Sequence, residues 1–354
     1  MNENFDYKNQ FDSNQPQMSP QPQMQRQYVT YIPYGFTPET YEEKREIRKI
    51  ANIIGGALLI MSAAPVLVAV LQLILGFLGL WGVNAVKIFN TTAFSQYLQA
   101  LLSILLFTVP YISLFKVGGF RISELISFKK PKKKDILPYF LLGIGVCYFA
   151  NFAVSFAGQF FQKTGIDYEV DYGGKPQGFL GFMLTFIAIA VVPPLVEEFA
   201  CRGIMLGALK KYGEGFAVVC SAILFGVMHG NFEQIPFAFL VGMVLGFITV
   251  KTGTIWISIA VHAFNNAISV LFDYLNKIFS TSFFNVFAVI LFTFFMLGII
   301  VAILILKDDN DAYKFKQHKN KSEMKQIYKW FFTAPTIIIF VVISLIESMA
   351  FFVM

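Results

Sequence analysis

The chain has 354 residues, of which 56% are hydrophobic and 14% charged, with 41 Phe and a formal net charge of +6. Soluble domains carry about 25% charged residues, and apolar runs of about 20 or more mark membrane helices. This composition therefore excludes an ordinary soluble domain. It also turns the positive balance into loop bias at a membrane rather than a nucleic-acid footprint.

Residues 1–40 are polar, rich in Gln, Asn, Pro and Met, and contain no apolar stretch of a cleavable signal peptide. Such a segment cannot bury a core and reads as a disordered tail. Residues 42–49, EEKREIRK, form a charged helical approach to a first span at 51–80, and a second span follows at 95–116. The basic stretch 116–134 comes next. Within it ISELISF (122–128) reads as an amphipathic surface segment and KKPKKK (129–134) as a headgroup anchor.

Further spans are predicted at 136–160, 179–209, 215–231, 236–251, 255–275, 283–306 and 330–353. The fourth, at 179–209, is long for one crossing and should tilt or kink at Pro193-Pro194. The ninth is interrupted by Pro335 and Glu347. Loop 161–178 carries Asp167, Glu169 and Asp171 against Lys163 and Lys175, and the loop at 307–329 carries seven lysines and four acids. The expected fold is an all-α polytopic membrane bundle of about eight or nine transmembrane helices. It divides into the tail 1–40, N-terminal spans and basic segment 41–134, a core 135–275, and C-terminal spans 276–354. Basic segments alternate with poorly basic loops, which places the N-terminus on the cytoplasmic side of the cell membrane and the C-terminus outside.

Charged residues inside this bundle need a reason, because each costs roughly 2.5–3.5 kcal/mol at mid-bilayer on insertion scales. Glu197, Glu198 and Arg202 fall in the fourth span, His229 in the fifth and His262 in the seventh. The remaining histidine, His318, lies in the basic loop and reads as solvated. Glu347 in the last span reads as a packing residue. Cys147, Cys201 and Cys220 have no metal-type spacing and read as buried thiols.

Helical spacing puts Glu198 and Arg202 on one face at i, i+4, with Glu197 turned about 100° away. Phe225 and His229 share a face, as do His262 and Asn266. Counting about 1.5 Å per residue from the turns near 211–215 and 251–253, Glu198 and His229 lie at roughly 18–21 Å and His262 and Asn266 at roughly 13–20 Å. The clusters can therefore occupy one layer.

A carboxylate beside imidazoles in an apolar shell suits general-base activation of water, and an imidazole with a carboxamide suits oxyanion stabilisation. Glu197, His229 and His262 would alternatively suit a divalent metal such as zinc, although neither H-E-x-x-H nor a Cys pair is present. Each residue has a bland reading as well. Glu198 with Arg202 also fits a structural ion pair, His229 an interfacial histidine, and Asn265 and Asn266 interhelical hydrogen bonds.

The set Glu197-Glu198-x-x-x-Arg202, Phe225-x-x-x-His229 and His262-x-x-x-Asn266, over about 135–275, resembles the CPBP intramembrane proteases. That family includes the type II CAAX prenyl endopeptidases and bacterial proteins of bacteriocin processing or self-immunity. The resemblance implies a catalytic set of Glu197, Glu198, His229, His262 and Asn266. Glu197 would activate water beside His229, Glu198 would assist or pair with a structural Arg202, and His262 with Asn266 would stabilise the oxyanion. It implies a peptide or lipidated-peptide substrate among membrane lipids, and leaves open both a metal and a metal-free mechanism. Two other readings stand beside it: a non-catalytic scaffold or immunity protein binding a peptide in the same cavity, and a transporter using Glu197 as a proton relay. The lack of a visible inverted repeat counts against the transporter. The sequence does not fix the oligomeric state.

Overall fold

The computed structural model describes residues 32–63, 92–163, 178–275, 279–307, 309 and 311–350. The tail up to residue 31, the later half of the first span, loop 81–91 and most of loop 161–178 lie outside the described residues.

Helix α1 (Pro38–Ser62) begins inside the stretch read as tail. Thr37 and Thr40 form a reciprocal capping box, and Pro38 occupies the first helical turn, where a missing N–H costs nothing. The charged approach and the start of the first span are thus one helix. Then come α2 (Thr92–Val117), the single turn α3 (Ile122–Leu125) and α4 (Lys133–Lys163). Next is a 35-residue helical run, α5 (Gly178–Tyr212). Helices α6 (Glu214–Val227), α7 (Gln234–Thr252), α8 (Trp256–Leu275), α9 (Thr281–Leu306), α10 (Met324–Phe332) and α11 (Pro335–Ala350) complete the order.

The protein is an all-helical membrane bundle. Among the described residues five helices are long and apolar enough to cross a bilayer, or six if α10 and α11 count as one span bent by 63°. The bend falls at Pro335, one of the two interruptions expected in the ninth span, because proline cannot continue α10 and instead opens α11. Helix α6 is apolar but only 14 residues long. Helix α8 is long enough, yet His262, Asn265, Asn266 and Asp273 dilute its apolarity.

Buried side chains form two clusters. One gathers α1, α2, α5, α6, α10 and α11 around Tyr111, Phe225, Phe331 and Phe340. The other gathers α4, α7, α8 and α9 around Ile144, Leu245, Val261 and Phe295. Helices α7 and α8 contribute to both, so the polar residues of α5 and α8 meet where the two clusters join. At the basic end, the segment after α9 is strapped down: Lys316 donates its N–H to Glu214 at 2.8 Å, and Lys251 donates to the carbonyls of Asp311 and Lys314.

The segment 122–128, read as amphipathic and lying on the surface, is mostly irregular. Only 122–125 is helical. Ile126 is buried against Gly203, and the Leu125 main chain abuts Gly207. ISELISF therefore packs Leu125 and Ile126 onto α5 while Ser123, Glu124 and Phe128 stay exposed.

Candidate active site

Helix α5 is not a uniform α-helix. Two wider, π-type stretches, Phe186–Val191 and Phe199–Met205, flank the short α-helical piece Val192–Glu198 that carries both glutamates. The first has a legible cause. Pro193 has no N–H, so the Ile189 carbonyl four residues earlier loses its helical partner. Asn266 of α8 donates its side-chain N–H to that carbonyl at 3.0 Å. The sharp kink expected at Pro193-Pro194 is thus a widened turn repaired from a neighbouring helix. Such turns recur at functional sites.

Glu198 is fully buried. Its Oε1 accepts from Arg202 Nη1 at 2.8 Å and from His262 Nδ1 at 3.0 Å. The buried Arg202 guanidinium also lies over the Phe225 ring, 4.1 Å from its centroid. It fits because residue 242 of α7 is glycine: a methyl there would stand 3.3 Å from Nη2 and 3.0 Å from the Ala222 backbone. Nε and Nη2 of Arg202 find no hydrogen-bond partner among the described residues. Replacing one member of such a buried pair leaves an uncompensated charge.

Glu197 points elsewhere, as its 100° offset requires. Its side chain is 13% exposed, and Oε2 is 3.9 Å from His262 Nε2. That gap is too long for a direct hydrogen bond and suits a bridging water. His229 donates Nδ1–H to the Phe225 carbonyl at 2.7 Å. The Phe225 ring packs against both imidazoles, 5.0 Å from His229 and 5.9 Å from His262, edge-on to each. A methyl added at Gly230, the neighbour of His229, would stand 3.5 Å from the Glu347 carboxylate of α11.

The structure therefore brings Glu197, Glu198, Arg202 and His262 into direct or near contact, and Phe225 packs against His229, His262 and Arg202 alike. Asn266 stands one turn beyond His262, but its carboxamide is engaged by Ile189 on one side. On the other side its Oδ1 accepts from Asn265 at 3.3 Å, and Asn265 accepts from Asn151 of α4 at 3.0 Å. Asn151 escaped the sequence reading, although an amide in an apolar span is itself a signal for an interhelical bond. Beside this row of amides, Asn151, Ser155, Asn265 and Ser269 line a cavity of about 420 Å³, with Phe152, Phe264 and Phe292 among its apolar walls.

Both imidazoles have Nδ1–H committed, so in the neutral ring each Nε2 carries a lone pair. The donor chemistry of Glu197, His229 and His262 thus matches a zinc site. Their placement does not. Among the described residues no three His, Cys, Asp or Glu side chains are grouped to hold a metal ion.

A family model described as type II CAAX prenyl endopeptidase Rce1-like matches residues 179–268, the stretch that holds all three motifs. The segment that carries the site is Rce1-like. The membrane-embedded CAAX protease MroQ of Staphylococcus aureus is 26% identical over 196 residues, 51% of this chain and 74% of its own length. YdiL of Bacillus subtilis, provisionally assigned as a membrane peptidase, is 30% identical over 89 residues. Those residues are 25% of this chain and 36% of YdiL, so the chain spans only about a third of that relative. No solved structure matches. All these matches are to membrane proteases or peptidases, as the three motifs imply. The family match is narrower than the 135–275 over which the resemblance is drawn.

Proposed function

We propose that this protein is an intramembrane endopeptidase that hydrolyses a peptide bond of a membrane-associated substrate through water activated by Glu197. The observation that carries this reading is the 3.9 Å separation of Glu197 Oε2 and His262 Nε2 in a buried layer. A water held there can give a proton to the carboxylate as its oxygen attacks the scissile carbonyl carbon. Glu197 then returns that proton to the leaving amine.

Glu198 fixes the tautomer and direction of His262, much as a carboxylate orients a catalytic imidazole. A neutral His262 with Nδ1–H on Glu198 accepts at Nε2 and orients the water. A protonated His262 donates there, and its charge is balanced by the two glutamates. Oxyanion stabilisation by His262 therefore belongs to the protonated ring. Asn266 keeps one side-chain N–H beyond the bond to Ile189, which remains to serve the oxyanion. His229, held by the Phe225 carbonyl, completes the polar wall.

Chelator dialysis is expected to leave turnover unchanged, because Glu197, His229 and His262 are not grouped as a metal site among the described residues. Loss of turnover restored by added zinc would show that both imidazoles and Glu197 rearrange into a metal site. We place the protein in the cell membrane with its N-terminus on the cytoplasmic side, as its loop charges favour.

The decisive experiment is Glu197→Gln in the full chain reconstituted in lipid. The fold should persist in thermal unfolding, because Gln keeps the shape of Glu and the buried Glu198–Arg202 pair is untouched. Cleavage of a membrane-tethered peptide library should disappear. Unimpaired cleavage by this variant would overturn the assignment.

A further inference from the structure

The basic stretch 116–134 holds Lys116, Arg121, Lys129, Lys130, Lys132, Lys133 and Lys134 against one acid, Glu124. Glu124 is paired with Arg121 at 3.0 Å. The five lysines at 129–134 are exposed. Lys132 and Lys134 border a cleft that also contains Asp135, Glu214, Asp309 and Asp311, which offset part of their charge. Lys129, Lys130 and Lys133 do not border it.

What sets this stretch apart is its seat. Leu125 and Ile126 pack on Gly207 and Gly203 of α5, so closely that a methyl at 207 would collide with the Leu125 main chain. Ser127 then offers its carbonyl to the N–H of Ile255 at 3.3 Å, and Phe128 its carbonyl to the indole N–H of Trp256 at 3.2 Å. The Phe128 and Trp256 rings lie 6.1 Å apart. One irregular segment therefore grips both helices of the site at their basic ends. Gly203 is five residues past Glu198, and Trp256 six before His262, roughly 8–9 Å along each axis.

We propose that residues 129–134 are a docking surface for anionic lipid headgroups, and that the seat of 125–128 on α5 and α8 transmits its occupancy to the catalytic layer. The occupant follows from charge complementarity. A run of exposed lysines beside membrane-spanning helices favours an anionic bilayer surface over a zwitterionic one. The transmission follows from the seat, since a pull on 129–134 acts directly on Leu125 to Phe128 and so on the spacing of α5 and α8.

The test uses the full chain in phosphatidylcholine nanodiscs with and without phosphatidylglycerol. The readout is the tryptophan emission that disappears in Trp256→Phe. Phosphatidylglycerol should shift that emission. Titrated into the discs, its binding should weaken about tenfold or more in the variant with all five lysines changed to Gln, since two near-surface lysines alone carry that factor. The five-Arg variant should retain the response. Gly207→Ala should abolish the Trp256 response with the lysines intact, and Ile126→Ala, which loosens the seat by removing bulk, should weaken it.

A five-Gln variant that responds like the parent overturns the docking surface, and a full response in both seat variants overturns the transmission. Inorganic phosphate reproducing the shift without phosphatidylglycerol, or an acidic peptide doing so in phosphatidylcholine, would also overturn the assignment to a lipid surface. The readout needs no substrate. An intact emission response without any peptide cleavage would count against the protease reading alone, and cleavage with a flat response against the docking surface alone.

Discussion

Glu198 is bonded on one oxygen to two partners of different purpose, Arg202 and His262. The first was legible in the sequence, because i, i+4 spacing fixes it within a single helix. The second was not. It depends on the rotation of α8 against α5, and no local pattern encodes that. The resemblance grouped His262 with Asn266, whereas the structure ties His262 to the glutamates and Asn266 to a backbone carbonyl. The two bonds of Glu198 can be separated by experiment. Glu198→Leu alone should destabilise the fold by about 3–5 kcal/mol, because a buried guanidinium loses its counter-charge. Adding Arg202→Met should recover most of that in thermal unfolding, since an apolar pair of similar size is tolerated. Cleavage should stay absent in the double variant, because His262 Nδ1 has no acceptor to fix its ring. If cleavage returns with stability, Glu198 acts only through the ion pair.

At the scale of one element, α5 shows what patterning reveals and what it conceals. Its length and the Pro193-Pro194 pair announced an irregularity near the glutamates. They did not announce a wide turn, because the freed Ile189 carbonyl is satisfied by Asn266, 77 residues away. This predicts a specific coupling. Asn266→Leu should cost about 1 kcal/mol by leaving a half-buried carbonyl without its donor. In a Pro193→Ala background the restored N–H supplies that carbonyl with a helical partner, so the same substitution should cost markedly less. The double-mutant cycle is read by thermal unfolding in detergent. Equal costs in both backgrounds would remove Asn266 from the support of α5. The segment 122–128 is the converse case. Its mix of apolar and polar residues suggested an amphipathic surface segment, but that mix could not show that glycines at 203 and 207 leave room for Leu125 and Ile126 to pack inward.

For the whole molecule, an all-helical membrane bundle was readable from composition and apolar runs, and helical spacing showed that three motifs are able to share one layer. The division into two packed clusters was not, because in lipid the apolar faces of helices do not identify their neighbours by hydrophobicity alone. The join between clusters is polar. Asn151 of α4 bonds Asn265 of α8, which bonds Asn266, which bonds α5 at Ile189. Three helices are thereby linked through amides whose alternative is an unpaired group away from water. Asn151→Leu keeps the volume and removes the first link. Interhelical hydrogen bonds in membranes average about 0.6 kcal/mol and reach about 1–2 kcal/mol, so unfolding should shift only modestly. Turnover should fall further than that loss of stability can explain, because Asn265 and Asn266 are then free to turn and the Ile189 carbonyl loses its fixed donor. The comparison to make is kcat at a temperature where both proteins are fully folded. If kcat is unchanged there, the amide row serves cohesion between α4 and α8 and has no part in holding α5 to the geometry of the site.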